Sequence, residues 1–453
     1  MHADAGKRFL SLDKTSALFI LLLKDIERVS IPAVETGGFL FARFEGPDMD
    51  GLRAVAVALL VCAATLGVVS IGATQEADGP AMSVQQAENT SNYLGSNASD
   101  IDRSGEETTS LDVGAAVSTN GGQVRSTYSR VALRQKYRNA GSEEERRAVV
   151  RNGTERLAER VNALERRETR AIDEYAGGEM AEPDLFRVLS TVDAEADERA
   201  ETADWLNTRA DELGMDDESS RLDSLRLRLV PLRGPIRDDI IEGLNGRTSA
   251  RVHAEVARGG IVLSTVERQE GGEYVYVREA YDPDIRDVRD VDRYSGDFAA
   301  VYDRLAEIYP WVSGNNPGIG GSARIDSGGA RLYSMSLVHD HGELRPYLDG
   351  GSGRVVKETQ RNQVDQLPTT VVNETSESGG FRVRVETTHA GGPLGVTVVD
   401  NLTGEPLDVV VTVDGDRVGS TNDERLWTVA PQGETTVNVT RGGETVTVET
   451  TPE

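Results

Sequence analysis

An uncharged apolar run at residues 54–73 places the tightest limit on where this chain can fold. The run follows Met49 and a short segment that ends in Arg53, and the sequence turns polar directly after Ala73. A basic start, an apolar segment and a small residue before the cleavage point are typical of secretory signals. We therefore expect residues 49–73 to be a signal peptide, or an N-terminal membrane anchor if they stay uncleaved. The remainder of the chain would then be extracellular or held at the cell surface.

The first 48 residues differ in composition from the sequence that follows them. They hold five of the eight phenylalanines of the chain. Their apolar stretch at residues 17–23 is too short to cross a bilayer, which takes about 20 residues. We interpret residues 1–48 as an upstream extension that is not translated, with Met49 as the true start. The alternative is a cytoplasmic segment that precedes a transmembrane helix.

The charge of the chain excludes some classes of partner. There are 76 acidic against 49 basic residues, which leaves a net charge of −27. A surface this acidic argues against nucleic acid and against anionic lipid as partners. It suits concentrated salt, where the Debye length falls to about 3 Å and self-repulsion is screened. A GC-rich genome would produce part of the same composition. The one cysteine, Cys62, lies inside the apolar run, so the exported part contains no disulfide.

Periodicity divides the exported chain into regions. Residues 74–121 are polar and poor in large apolar groups, so we expect a disordered stalk. Residues 122–245 have a helical pattern, and the segment 142–213 contains two apolar stripes separated by Gly177-Gly178. Ser142 and Glu145 form a capping-box pattern at its start. We expect a coiled-coil-like antiparallel hairpin that packs within the chain, or alternatively a coiled coil that binds a partner.

The pattern then changes to alternation in twos. In residues 246–390 we expect strands at 250–256, 261–267 and 273–279, a helix at 297–309, and further strands up to 358. Residues 394–450 contain only strand patterns separated by glycine- and aspartate-bearing turns. The predicted fold class is therefore multidomain α+β: a helical hairpin, a mixed antiparallel α+β region and a C-terminal all-β sandwich.

The C-terminal segment carries a family resemblance. The stretches VTVVDNLTGEPL, VTVDGDRVGST and LWTVAPQG occur in this order within residues 394–450. In this they resemble the transthyretin-like or peptidase-regulatory β-sandwich modules of surface proteins, which implies a spacer or binding unit. In its overall architecture, the chain from residue 49 onward resembles uncharacterised exported proteins of salt-loving archaea. This resemblance implies a location outside the cell.

The motifs with chemical potential are few. His339 and His341 would point to the same face of a strand, and they could bind a metal if Glu343 or Asp326 joined them. The alternative is a pair of ordinary surface histidines. We find no catalytic motif and expect no cofactor. Six N-x-S/T triplets are candidate glycosylation sites. They are Asn89, Asn97, Asn152, Asn373, Asn401 and Asn438.

These observations favour a non-enzymatic secreted or cell-surface protein. It would act as a structural or interaction module, with an unknown surface or protein as its partner. Residues 54–73 would add a contact with the membrane if they stay uncleaved. The alternative is a secreted, metal-dependent, hydrolase-like enzyme with its site near His339 and His341.

Overall fold

The computed structural model describes residues 82–452 apart from 270, 286–290, 316–317, 328–329, 377–379 and 422–424, and leaves out the side chains of 323–327 and 330. The predictions of an extension at residues 1–48 and of a signal or anchor at 49–73 lie outside these residues. In the part that the structure describes, no helix has the length and apolar character needed to cross a membrane.

Five helices lie between residues 113 and 244, all of which the structure describes. They are α1 (Val113–Asn139), α2 (Glu143–Ala176), α3 (Glu182–Glu212), α4 (Asp216–Leu229) and α5 (Pro235–Leu244). Helix α2 begins where its cap predicts, because Ser142 Oγ accepts the Glu145 amide at 3.1 Å. It ends before Gly178, which has a positive φ, and Pro183 lies in the first turn of α3. Helices α2 and α3 pack together, which confirms the predicted hairpin.

Eight antiparallel strands of the described chain form a central sheet in the order β3-β4-β5-β6-β10-β9-β8-β7. They are β3 (Arg103–Thr108), β4 (Arg251–Ala257), β5 (Gly260–Arg268), β6 (Tyr274–Tyr281), β7 (Gly318–Ser327), β8 (Ala330–His339), β9 (Gly342–Asp349) and β10 (Val355–Gln363). Strands β4 to β6 are the predicted meander. One face of the sheet is covered by α2, α3 and α5, where Leu185 and Ile236 pack on Val252 and Leu263.

The opposite face of the sheet is covered by shorter elements. Helices α6 (Phe298–Ile308) and α7 (Pro310–Gly314) pack there. A ribbon of β1 (Ser83–Gln85) and β2 (Tyr93–Gly95) lies beside them, with Met82 and Leu94 in the same core cluster. The helical region and the α+β region are therefore layers on a single sheet.

The disordered stalk predicted for residues 74–121 is wrong for the described part of that segment. Residues 82–112 contain β1, β2 and β3, and α1 starts at Val113. Met82 and Leu94 are 1% and 0% exposed. The prediction failed because a polar strand such as β3 satisfies its backbone hydrogen bonds on the edge of a sheet, here with β4, whatever its side chains are.

The C-terminal region is the predicted β-sandwich. Its described strands form two four-stranded sheets, β11-β12-β13-β16 and β15-β14-β17-β18. They are β11 (Thr370–Thr375), β12 (Phe381–Thr387), β13 (Pro393–Asp400), β14 (Val410–Val413), β15 (Asp416–Ser420), β16 (Arg425–Val429), β17 (Thr435–Arg441) and β18 (Glu444–Thr450). The predicted boundaries, 246–390 and 394–450, are wrong by about two strands. Strand β12 pairs with β13, and Phe381 is buried in the sandwich core.

The sandwich is bound to the central sheet by apolar and polar contacts. Trp427 and Val429 pack on Tyr276 in a small apolar cluster. The Tyr276 hydroxyl donates to the Gly391 carbonyl at 2.7 Å, and Gln432 donates to Glu255 at 3.0 Å. The orientation of the sandwich is thus determined by the sheet as well as by the linker between them.

Candidate binding surface on the helical region

The two histidines predicted as metal ligands lie together at the end of β8 and in the turn that follows. The His341 ring stacks on Trp311 with 4.5 Å between centroids, and the His339 ring meets the same indole edge-on at 5.5 Å. His341 Nδ1 is 3.0 Å from Thr90 Oγ1, and His339 Nδ1 accepts the His341 amide at 3.3 Å. Burial lowers the pKa of His339 to about 4. His339 is therefore neutral at pH 7, and both rings pack against the Trp311 indole.

No third ligand joins these histidines among the side chains that the structure describes. Glu343 instead accepts hydrogen bonds from Ser336 at 2.7 Å and from Arg345 at 3.0 Å. Asp326 belongs to β7, and its side chain lies outside the described residues. A metal site at this position, and the hydrolase built on it, stay predictions.

A cluster of carboxylates that no sequence pattern predicts lies between α3 and α5. Within the described residues, Asp193, Asp197 and Asp238 are the one group of three whose possible ligand atoms lie within 4.8 Å of one another. Arg233 forms an ion pair with Asp197, and the Gly234 amide donates to Asp193 at 3.0 Å. Burial, together with the charge of Asp238, raises the pKa of Asp193 to about 8. A proton on Asp193 and the arginine beside Asp197 thus offset two of the three negative charges, and we assign the cluster a structural role.

A buried ion network joins the helices to the sheet. Arg237 of α5 is fully buried, and its guanidinium lies 2.5 Å from Glu168 of α2 and 3.0 Å from Glu279 of β6. Lys357 of β10 lies 3.5 Å from the same Glu279 oxygen. Buried charges are tolerated only when they are paired in this way. The network holds α2 and α5 on the sheet and is closed to solvent.

Helix α1 has an unusual distribution of side chains. The face that it turns toward α3 consists of small residues, namely Ala115, Thr119, Gly122 and Ser126. Five of its large apolar residues lie on the opposite side and are between 52% and 75% exposed. They are Val113, Val117, Val124, Tyr128 and Val131. Their spacing places them on one narrow line along the helix, which we call the α1 stripe. Exposed apolar side chains aligned in this way are a candidate interaction surface.

A groove runs beside the α1 stripe, between α1 and α2 and above α3. Its volume is about 240 Å³. Tyr128, Ala132 and Leu133 of α1 and Leu157 of α2 supply its apolar walls. Five cations and no carboxylate line it: Arg130, Lys136, Arg156, Arg160 and Arg199. In a chain with a net charge of −27, this is a local reversal of sign.

The cations of the groove are only partly neutralised. Arg130 pairs with Glu198 at 3.4 Å and with Glu201. Arg199, which is 8% exposed, donates to Ser126 at 2.6 Å and to Glu195 at 3.1 Å. Burial lowers the pKa of Arg199, and so does the positive charge of nearby Arg160. The groove therefore carries an excess of positive charge.

The predicted glycosylation sites differ in accessibility. Both the asparagine and the third residue of the triplet are exposed at Asn97, Asn373 and Asn401. At Asn89 and Asn152 the third residues, Ser91 and Thr154, are buried. Asn438 is half-buried and accepts a hydrogen bond from Thr447 at 2.7 Å. Glycosylation stays a prediction, and the first three sites are the ones that the fold leaves open.

Three family models match successive parts of the chain. Residues 49–249 match a domain of unknown function (DUF7096), 252–368 a family of unknown function (DUF7094), and 372–448 an archaeal fibronectin-III type-like domain. The last match corrects the resemblance to transthyretin-like and peptidase-regulatory modules: the β-sandwich is confirmed, but the comparison points to the fibronectin-III type. No curated protein matches the chain. The chain is thus similar to archaeal proteins and ends in a fibronectin-III-like sandwich.

The sequence contains a signal for the surface on α1 in its distribution of charge. Residues 113–139 contain five basic residues and no acidic one, in a chain where acids dominate. The first part of this helix lies within residues 74–121, whose polar composition predicts disorder. When charges are counted for each helix separately, α1 is distinguished from the neighbouring helices by its lack of acidic residues.

Proposed function

We propose that this protein is a non-catalytic interaction module that acts outside the cell membrane, with α1 as its binding face. The observation that carries the proposal is the α1 stripe. Val117 and Val124 are 67% and 66% exposed on a 27-residue helix whose buried face contains small residues. Large apolar side chains on water-facing positions lower solubility, so a partner that covers them accounts for their placement.

The charges on α1 favour one kind of partner. Arg125, Arg134 and Lys136 are exposed on either side of the stripe. An amphipathic helix with acidic flanks would bury its apolar face on the stripe and pair its acids with these cations. We therefore propose an acidic amphipathic helix of another protein as the partner.

Two observations support a location outside the membrane. The uncharged run at residues 54–73 has the composition of a signal or anchor, and the first family match begins at residue 49, just before it. The fibronectin-III-like match at residues 372–448 is of a kind common in cell-surface proteins. N-terminal sequencing of the native protein tests this part: we expect a start near Thr74, or at Met49 if the run is retained. Abundant peptides from residues 1–48 would contradict it.

We also propose that the protein works in concentrated salt. Its net charge of −27 produces self-repulsion that molar salt screens. Thermal unfolding at low and at molar KCl tests this. We expect a higher midpoint in molar salt, and an unchanged midpoint would rule the proposal out.

Site-directed photo-crosslinking in native cells tests the binding face. A photoreactive residue at Val124 should give one discrete crosslinked product. The matched control is Leu402, which is 95% exposed on a turn of the sandwich. A second change, Val117→Glu, should remove the product without lowering the thermal midpoint. Equal products from both positions, or none from Val124, would contradict the proposal, and a product of twice the chain mass would make the partner a second copy.

A further inference from the structure

The groove between α1, α2 and α3 contains donors that no described residue uses. The side chains of Lys136, Arg156 and Arg160 form no ion pair or hydrogen bond within the described residues. Arg156 and Arg160 are exposed and lie one helical turn apart on α2. Both line the same cavity as Lys136 of α1. Three positive charges thus face one space without a protein counter-ion.

Arg199 adds a donor at the buried side of this space. Two of its nitrogens are held by Ser126 and Glu195. The third, Nε, is buried and has no hydrogen-bond partner. An unsatisfied donor on a buried, charged group carries a free-energy cost unless a ligand or water satisfies it. Because Ser126 and Glu195 hold its other nitrogens, the guanidinium of Arg199 is oriented before any ligand binds.

We infer that the groove is a binding site for a phosphate or sulfate monoester, with the oxyanion among Arg156, Arg160, Lys136 and Arg199. Arginine pairs with such groups through two parallel hydrogen bonds, and three unpaired cations match a doubly charged anion better than a single carboxylate. Tyr128, Leu133 and Leu157 supply apolar walls for the organic part of the ester. The ester could be a soluble molecule or the headgroup of a phospholipid.

This site differs from the α1 stripe: the stripe contributes Tyr128 alone to the groove, and of the cations beside the stripe only Lys136 lines the groove. The stripe requires an apolar partner that covers the outward side of α1, while the groove requires an oxyanion at its flank. A variant that removes groove charges leaves the stripe valines in place. The two inferences can therefore fail separately.

Isothermal titration of the purified exported chain with phenyl phosphate, and with inorganic phosphate alone, tests the site. We expect one equivalent of phenyl phosphate to bind, and inorganic phosphate to bind more weakly because it lacks the apolar part. Co-sedimentation with vesicles of phosphatidylglycerol, against phosphatidylcholine, distinguishes a headgroup from a soluble ester. The double variant Arg156→Gln/Arg160→Gln should lower the affinity at least about tenfold, since it removes two charge-assisted contacts.

The matched control is Arg166→Gln/Arg170→Gln. It removes two exposed arginines with the same spacing from the same helix, outside the groove. We expect it to bind phenyl phosphate as the wild type does. Equal losses in both variants would mean unspecific attraction and would overturn the inference. Absence of binding to both phenyl phosphate and anionic vesicles would overturn it as well. All four positions are exposed, so thermal midpoints should stay unchanged.

Discussion

Helices α1 and α3 lie side by side in the same region but distribute their side chains in opposite ways. Helix α3 buries Leu189 and Leu206 against α2 and the sheet. Helix α1 turns Gly122 and Ser126 inward and leaves Val124 in water. The first pattern stabilises the fold, because it removes apolar surface from water within the chain. The second contributes little to folding and leaves apolar surface available for another molecule. Buried apolar packing is thus concentrated on α3, and the surface that we propose for recognition lies on α1.

The largest effect is expected where the helices meet the sheet. Arg237→Met should lower the free energy of unfolding by about 3–5 kcal/mol, because it leaves Glu168 buried without its partner and Glu279 with Lys357 alone. Urea denaturation measures the change. The control is Arg233→Ala, which breaks a half-exposed ion pair with Asp197 and should cost less than about 1 kcal/mol. Similar losses in the two variants would show that the buried network does not hold the helices on the sheet.

The comparison of α3 with α1 can be tested directly by truncating one apolar side chain on each. Leu189→Ala on α3 should cost about 2–5 kcal/mol, because Leu189 is fully buried in the core shared with the sheet. Val124→Ala on α1 should leave stability unchanged or raise it slightly, since alanine has the higher helix propensity. Denaturant midpoints of both variants measure the contrast. A loss of more than about 1 kcal/mol at Val124 would mean that the stripe is covered within the chain.

The stability of the protein should also depend on pH, through Asp193 of α3. Burial raises the pKa of Asp193 from 3.8 to about 8. The folded protein therefore holds a proton that the unfolded chain releases, so this group makes stability fall as pH rises from about 4 to about 8. Asp193→Asn should flatten that slope by up to about 1.4 kcal/mol per pH unit. Asp216→Asn, at an exposed position on α4, is the control and should keep the wild-type slope. An equally steep slope in Asp193→Asn would contradict the assignment.

The smallest expected effects are opposite in sign for two helical glycines. A Cβ at Gly153 of α2 would lie 2.9 Å from Leu206 Cδ2, so Gly153→Ala should cost about 1 kcal/mol through overpacking. A Cβ at Gly121 of α1 would find nothing closer than Arg125, at 3.7 Å. Gly121→Ala should therefore stabilise the protein by about 0.5–1 kcal/mol through helix propensity. Thermal midpoints that shift in the same direction would contradict the difference between the two helices.

The parts of the fold that depend on short-range sequence patterns could be predicted well. The hairpin follows from the Ser142 cap, the break at Gly178 and two apolar stripes, all of which act within a few residues along the chain. The meander was predicted within about two residues at each strand end, because alternation and glycine turns are equally local. Of the described strands from residue 393 onward, all but β15 (Asp416–Ser420) were predicted for the same reason.

The rest depends on residues that are distant along the chain. Met82 and Leu94 are buried against the far side of a sheet, and seven of its eight described strands lie more than 150 residues later in the chain. Asp193 and Asp238 come together only because α5 crosses α3. The groove is another case, because its cations come from three separate helices. These contacts join distant segments, so the periodicity of any one segment does not predict them.

By itself, the sequence determined the type of each strongly periodic element, because helix and strand patterns express the geometry of the local backbone. It also determined the excess of acid and the cluster of cations at residues 125–138. Only the tertiary structure decided which side of each element is covered. The fold turns the small residues of α1 inward and its valines outward, and it brings Arg156, Arg160 and Arg199 to one groove. The physical reason is that burial and charge compensation depend on distances between segments, whereas periodicity records only the spacing within a segment.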